Sequence, residues 1–194
     1  MRLFIALDID EAIRRRIATF VEGVRGFAPE VRFVGPESFH VTLKFLGETD
    51  KLDAIVASLK DVHGGPAALN FRGYGFFPGA KNARVFWTGI DAGQELQALV
   101  SDIDNEMTGL GFEREKGPYR AHLTLARSGS GRPGRMRGET ANAKFSGLQY
   151  KLSKLPEPEF GTMTAHEFHL YESKLSPRGS QYTKLASFPL GATG

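Results

Sequence analysis

The 194-residue chain reads as an α+β protein of two lobes related by a pseudo-twofold, with antiparallel sheets lining a central cleft and helices outside. Three observations predict this. A stretch occurs twice, as His40-Val41-Thr42-Leu43 and His122-Leu123-Thr124-Leu125, with His and Thr on one strand parity and apolar residues on the other. The copies also share a context. The histidines are 122 − 40 = 82 positions apart, and the same slide lays Arg2-Leu3-Phe4-Ile5 over Arg84-Val85-Phe86-Trp87, each followed by a helical pattern. Finally, helices mix with several strand connections that carry no helix, which argues against a doubly wound sheet. No linker is long enough to make the lobes independent, so residues 1–194 are expected to form a single two-lobed domain.

In chain order, residues 2–8 read as a buried strand. Asp10 stands at the N-cap of a helix with Ile13, Ile17, Phe20, Val21 and Val24 on one stripe, Arg14, Arg15 and Arg16 on or beside its polar side, and Gly26 as a stop. A short strand over 31–34 and a turn over 35–38 lead into the first His-x-Thr strand. There Phe39, Val41, Leu43 and Phe45 alternate with His40, Thr42 and Lys44, and Gly47 closes the run. A second helix, carrying Leu52, Ile55, Val56 and Leu59, precedes a loop in which His63 is exposed. Residues 68–77 form a strand weakened by Gly73 and Gly75, with a bulge, before a turn over 77–82.

The second unit starts with a strand over 85–90. Its helix has Leu96, Leu99, Val100, Ile103 and Met107 on one face, and Gly109-Leu110-Gly111 ends it before the second His-x-Thr strand. Residues 128–138 make a basic, glycine-bearing loop placed as a lid. Residues 145–155 and 164–173 read as strands, joined by a loop with Pro156 and Pro158, and 182–189 as a closing strand. His166 and His169 have opposite strand parity, so they do not converge on a metal and read as structural or exposed.

Composition narrows the class. With 41% hydrophobic and 24% charged residues the chain is an ordinary globular one, and without cysteine it has no disulfide, thiolate nucleophile or Cys-based zinc site. The first apolar run is too short for a signal peptide and none spans a membrane, which places the protein in the cytoplasm without a membrane partner; a monomer is expected. Net charge is only +3, yet residues 113–138 hold seven basic side chains (Arg114, Lys116, Arg120, Arg127, Arg132, Arg135, Arg137) against Glu113 and Glu115. A basic segment bracketing the second His-x-Thr favours a phosphate-bearing partner, although a solvated loop accounts for part of it.

A lone His-x-Thr describes a half-exposed strand. Two copies in matched contexts describe a site. Imidazole exchanges protons near neutral pH, so two of them facing each other suit a reaction that needs a base on one side and an acid on the other. In-line displacement at phosphorus has that demand. The hydroxyls of Thr42 and Thr124 are donors for the non-bridging oxygens. No cluster with metal-ligand spacing appears, and neither metal nor other cofactor is required.

The doubled motif resembles the paired His-x-Thr-x signatures of the two-histidine (2H) phosphoesterase superfamily. The stretches Arg2-Leu3-Phe4-Ile5-Ala6 and Arg84-Val85-Phe86-Trp87, the run from Tyr171-Glu172-Ser173-Lys174 to Arg178-Gly179, and Tyr182 resemble the bacterial and archaeal RNA 2′,3′-cyclic phosphodiesterases, formerly called 2′-5′ RNA ligases. The resemblance implies the bilobal 2H fold and metal-free opening of a terminal RNA 2′,3′-cyclic phosphate to a 2′-phosphate. It implies His40 as proton donor to the leaving oxygen, His122 as base for water, and Thr42 and Thr124 as phosphate ligands. Ala121 departs from the proline the family often has there. Arg127 matches the family, but strict alternation puts it on the face opposite His122; either the strand ends or bulges there, or Arg127 is structural. Tyr119 stands near the cleft as a substrate-binding aromatic. Two rivals remain open: action on 2′-5′-linked oligonucleotides or small cyclic nucleotides, and a nucleotide- or RNA-binding module without turnover.

Overall fold

The computed structural model describes residues 1–129, 141–177 and 179–191. Its strands are β1 (Arg2–Leu7), β2 (Arg32–Phe33), β3 (Val41–Glu48), β4 (Ala67–Phe77), β5 (Val85–Ala92), β6 (His122–Arg127), β7 (Glu159–Ala165), β8 (Glu167–Ser176) and β9 (Gly179–Pro189). They form one sheet in the order β3-β1-β8-β9 and another in the order β2-β6-β5-β4-β7, antiparallel at every pairing. Helices α1 (Glu11–Val24) and α3 (Gln94–Gly109) occupy matching places after β1 and β5; α2 (Leu52–Leu59) and α4 (Ser146–Leu152) complete the α+β fold. The expected pseudo-twofold is visible in the sheets, where β3-β1 in one corresponds to β6-β5 in the other.

Each unit's long helix is braced against the other sheet. From α1, Arg16 donates to the Phe160 carbonyl on β7 at 3.0 Å, and the Phe20 ring meets Phe160 edge-on at 5.3 Å. From α3, Asp104 takes the Lys44 ammonium of β3 at 2.7 Å. Ile13, Ile17, Val21 and Val24 under α1, and Leu96, Leu99, Val100, Ile103 and Met107 under α3, are buried in one connected apolar cluster. At roughly 1.5–3 kcal/mol for each large aliphatic side chain, burial on this scale is what holds the helices down.

Several sequence expectations need correction. Residues 145–155 are not a strand: Phe145, Leu148 and Leu152 sit three and four apart, and all three are buried on one side of α4. Gly147 lets α4 close on the first unit, since a Cβ there would fall 2.6 Å from the Phe27 carbonyl. The run 164–173 belongs to two strands in different sheets, divided at exposed His166, whose carbonyl accepts from the Leu190 N–H at 2.7 Å. Asp10 occupies the N-cap of α1 but makes no side-chain cap bond. The uniform slide of 82 also fails on the first strands. Thr42 pairs with Ala6 and Thr124 with Trp87, an offset of 87 − 6 = 81, so Phe4 corresponds to Val85 rather than Phe86.

The bulge expected near Gly73 and Gly75 is present, and it serves the second unit. The β4–β5 ladder shifts register between Arg72 and Gly75, and a Cβ on Gly75 would meet the Trp87 ring at 2.1 Å. Only a glycine lets the indole lie across the strand there. The residues assigned to a lid, 128–138, are described only at Ser128 and Gly129; the rest lie outside the described residues, as does Arg178. No helix among the described residues is long and apolar enough to cross a membrane.

Candidate active site

His40 and His122 are held in the same way. Nδ1 of His40 lies 2.7 Å from the Ser38 carbonyl, and Nδ1 of His122 lies 2.7 Å from the Arg120 carbonyl, each two residues back. A carbonyl only accepts, so Nδ1 carries hydrogen in both rings and, in the neutral form, Nε2 keeps its lone pair. Both imidazoles therefore present the same atom for proton exchange. Their ring walls differ. His40 packs on Phe4 at 4.9 Å and edge-on to Tyr182 at 5.1 Å, whereas His122 meets Phe77 edge-on at 4.9 Å, with Trp87 at 6.2 Å.

A cavity of about 920 Å³ is lined by both histidines together with Thr42 and Thr124, which brings the four motif residues into one space. That volume suits a nucleotide-sized ligand. A second cavity, of about 710 Å³, meets the first at Thr42, Phe45, His122, Thr124 and Arg127, then extends to Tyr119 and Lys44. Burial lowers both imidazoles below the ordinary histidine value. At His40 the Ser38 carbonyl and the Asp8 charge oppose that shift while Arg127 and Arg14 add to it; at His122 the Arg120 carbonyl opposes it and Arg127 adds to it.

The question left by Arg127 has a structural answer. The β5–β6 ladder runs from Trp87↔Thr124 directly to Phe86↔Ala126, so Leu125 is an extra residue and the parity reverses after it. Arg127 thereby joins His122 and Thr124 at the cavity. The same device stands 82 residues earlier: β1 pairs Ala6 with Thr42 and Ile5 with Lys44, leaving Leu43 extra. Simple alternation over 39–45 is therefore wrong beyond Leu43. Lys44 turns inward to 3% exposure, bound to Asp104 and to the Glu113 carbonyl at 2.9 Å. Phe45, 57% exposed, turns to the cleft at the position matching Arg127. Sequence reasoning missed Phe45 as a cleft residue, and the shared spacing of five from each histidine was the signal for it.

Tyr119 lines the smaller cavity, and its hydroxyl donates to the Thr42 carbonyl at 2.9 Å, tying the segment before β6 to β3. Burial pushes its phenol well above the ordinary value, so it stays a neutral donor. Sequence reasoning also missed Tyr182, beside His40, and Arg2, Arg32 and Arg84 on the larger cavity. Among the described residues no three His, Asp or Glu side chains gather as a metal site would require.

Known proteins match this chain along most of its length. The RNA 2′,3′-cyclic phosphodiesterase of Archaeoglobus fulgidus is 35% identical over 190 residues, covering 97% of this chain and 99% of that protein. The protein of that name from Methanothermobacter thermautotrophicus is 32% identical over 194 residues, covering 98% and 99%. Among solved structures, Escherichia coli LigT complexed with 3′-AMP superposes with a TM-score of 0.75 at 25% identity over 97% of both chains. A Thermus thermophilus protein reaches 0.77 at 25% identity over 100% of both. The model of the LigT-like phosphoesterases matches residues 7–87 and again 90–182, one match for each His-x-Thr copy, and the chain belongs to that family.

Proposed function

We propose that this protein is an RNA 2′,3′-cyclic phosphodiesterase that opens a terminal cyclic phosphate to a 2′-phosphomonoester. The observation that carries the reading is the pair of identically tethered imidazoles in one cavity with Thr42 and Thr124. The relatives' names give the substrate class.

In the proposed reaction, Nε2 of His122 takes a proton from water as its oxygen bonds to phosphorus. The bond from phosphorus to the 3′ oxygen breaks, and Nε2–H of His40 protonates that oxygen. The product is a 2′-phosphate beside a free 3′-hydroxyl, with His122 protonated and His40 neutral; exchange with solvent restores both. Thr42 and Thr124 hydroxyls donate to the non-bridging oxygens as charge builds there. Phe45 and Arg127, at matching positions where the cavities meet, offer an apolar ring and a planar cation to the terminal base.

The direct test is to incubate the protein with nucleoside 2′,3′-cyclic phosphates, oligoribonucleotides ending in one, and 2′-5′-linked oligonucleotides, and to resolve the products. Turnover of the cyclic ends is expected. Binding without turnover of any substrate would leave a nucleotide-binding module, and turnover of 2′-5′ linkages alone would move the activity to that class.

A further inference from the structure

The two arms of the cleft are both lined with basic residues, but outside their shared Arg127 the chain pairs most of those in one arm and, among the described residues, none of those in the other. In the smaller cavity Lys44 is paired with Asp104 at 2.7 Å, Arg114 with Asp104 at 3.3 Å and Lys116 with Glu113 at 3.1 Å, leaving Arg120 without an ion pair among the described residues. The larger cavity carries Arg2, Arg32, Arg84 and Arg127. Among the described residues, none of these four guanidinium groups has an ion-pair or hydrogen-bond partner in the chain. Of the described members of the basic run that stood out in the sequence, Arg114 and Lys116 are spent on internal pairs and Arg120 and Arg127 are not; Arg2, Arg32 and Arg84 add free positive charge from outside that run.

Strand register sharpens the point. Strand β2 leaves the first unit to pair with β6 of the second sheet, which sets Arg32 directly opposite Arg127. Like charges in that relation repel, and the ladder offers no acid between them. On the other side of β6, Arg127 faces Val85, and the Arg84 carbonyl accepts from the Ser128 N–H at 2.9 Å, which fixes the strand beside it. The repulsion is offset when an anion enters the arm. The arms meet at the two Thr residues and His122, where the reacting phosphate would sit. A chain of phosphodiesters leaving that point has two exits, and one of them presents uncompensated guanidinium forks of the kind that bind phosphate oxygens in pairs.

We propose that Arg2, Arg32 and Arg84 form a subsite for the internucleotide phosphates immediately upstream of the reacting RNA end. The proposal rests on the cyclic phosphodiesterase reading and adds to it a preference for oligonucleotides over mononucleotides. All three side chains are exposed, so their replacement removes repulsion without opening the core.

The test compares wild type with Arg2→Gln/Arg32→Gln/Arg84→Gln on two substrates, an oligoribonucleotide ending in a 2′,3′-cyclic phosphate and a nucleoside 2′,3′-cyclic phosphate. For the oligonucleotide, kcat/KM is expected to fall roughly 10- to 100-fold, and the slope of log(kcat/KM) against log salt to drop by about 2, near 0.7 for each lost phosphate contact. For the nucleotide, kcat/KM stays within about twofold. Arg→Lys at the same three positions keeps most of the salt slope. The charge-matched variant Arg15→Gln/Lys60→Gln/Lys154→Gln, whose residues line neither arm, leaves both substrates unaffected. Equal losses on both substrates, no loss on either, or the same loss in the charge-matched variant would overturn the subsite. Anisotropy with a labelled oligoribonucleotide ending in a 2′-phosphate separates this proposal from the function it rests on. If wild type turns over neither cyclic substrate, the functional reading fails, and an unchanged Kd in the triple variant still sinks the subsite on its own. Because like charges are removed, Tm should not fall; a triple variant that melts early is replaced in every comparison by the single Arg→Gln variants, each set against Arg→Lys at the same site.

Discussion

At the scale of single residues, two backbone carbonyls do much to define the chemistry. Ser38 and Arg120 hold Nδ1 of the two imidazoles, so Nε2 is the exchanging atom in both. His40→Ala and His122→Ala should each lower kcat by about 10²–10⁴-fold, and the double variant should lose little more, because in the proposed reaction the two groups act in one transition state. Near wild-type kcat in either single variant would remove that residue from the reaction. The pH dependence follows from the lowered values of both groups. A base must be neutral and an acid protonated, so kcat/KM should be bell-shaped, with its maximum on the acid side of ~6.5, the ordinary histidine value. A bound phosphodiester anion favours both imidazolium forms, so the kcat profile should lie at higher pH than that of kcat/KM. Coincident profiles, or a flat one between pH 5 and 8, would contradict this. His40, Thr42, His122 and Thr124 were legible in the sequence because strand parity is local. Arg2, Arg32 and Arg84 of the larger cavity were not, because they come from β1, β2 and the segment just before β5, which only tertiary pairing brings together.

At the scale of elements, the matched bulges at Leu43 and Leu125 decide what reaches the cleft. Alternation counts residues along one chain, whereas a bulge is a count against the partner strand, so no reading of residues 39–45 alone reveals it. The same limit explains residues 145–155, where apolar positions short in number fit either period until packing under Phe27 selects the helix. The bulge in β3 leaves Lys44 buried, and Asp104 of α3 is what makes that tolerable. Burial alone would raise the Asp104 carboxyl, but hydrogen bonds from Lys44 and the Glu115 N–H, with the charges of Lys44 and Arg114, hold it below its ordinary value. Its stabilising contribution is therefore present above the unfolded value of ~3.9 and is lost as pH falls through the depressed folded value. Asp104→Ala, which strands the ammonium, should cost roughly 3–5 kcal/mol in urea unfolding, and Lys44→Met/Asp104→Leu distinctly less. If the double variant is the less stable of the two, the buried charge is not the source of the loss. Because Thr42 and Phe45 ride on the same strand, Asp104→Ala should also raise KM.

At the scale of the whole molecule, two near-equivalent units face one reacting group, and the direction of reaction depends on what breaks their symmetry. No cluster of metal ligands among the described residues takes part, so activity should survive exhaustive treatment with EDTA; loss that a divalent ion restores would refute metal independence. What does differ between the units is charge and packing around the imidazoles. On the His40 side, the C-terminal hairpin of β8 and β9 supplies Tyr171 and Lys184 to Asp8, with Lys184 Nζ at 2.6 Å and the Tyr171 hydroxyl also donating. Tyr171 stacks on Phe4 at 5.3 Å, and Phe4 lies against His40. The Asp8 charge favours a proton on His40, and among the described residues no carboxylate does the same for His122. Asp8 thus opposes the lowering at His40, an asymmetry in the sense that the proposed acid role of His40 requires and that the family resemblance also implies. Only the ribose oxygen beside the acid can leave in line with incoming water. With the 3′ oxygen seated against His40, the phosphate should remain on the 2′ oxygen. Phosphorus NMR of the product from an RNA ending in a 2′,3′-cyclic phosphate, compared with authentic 2′- and 3′-phosphates, reads the outcome directly. A dominant 3′-phosphate would mean that the ring binds in the opposite sense, and the roles of His40 and His122 would then be exchanged.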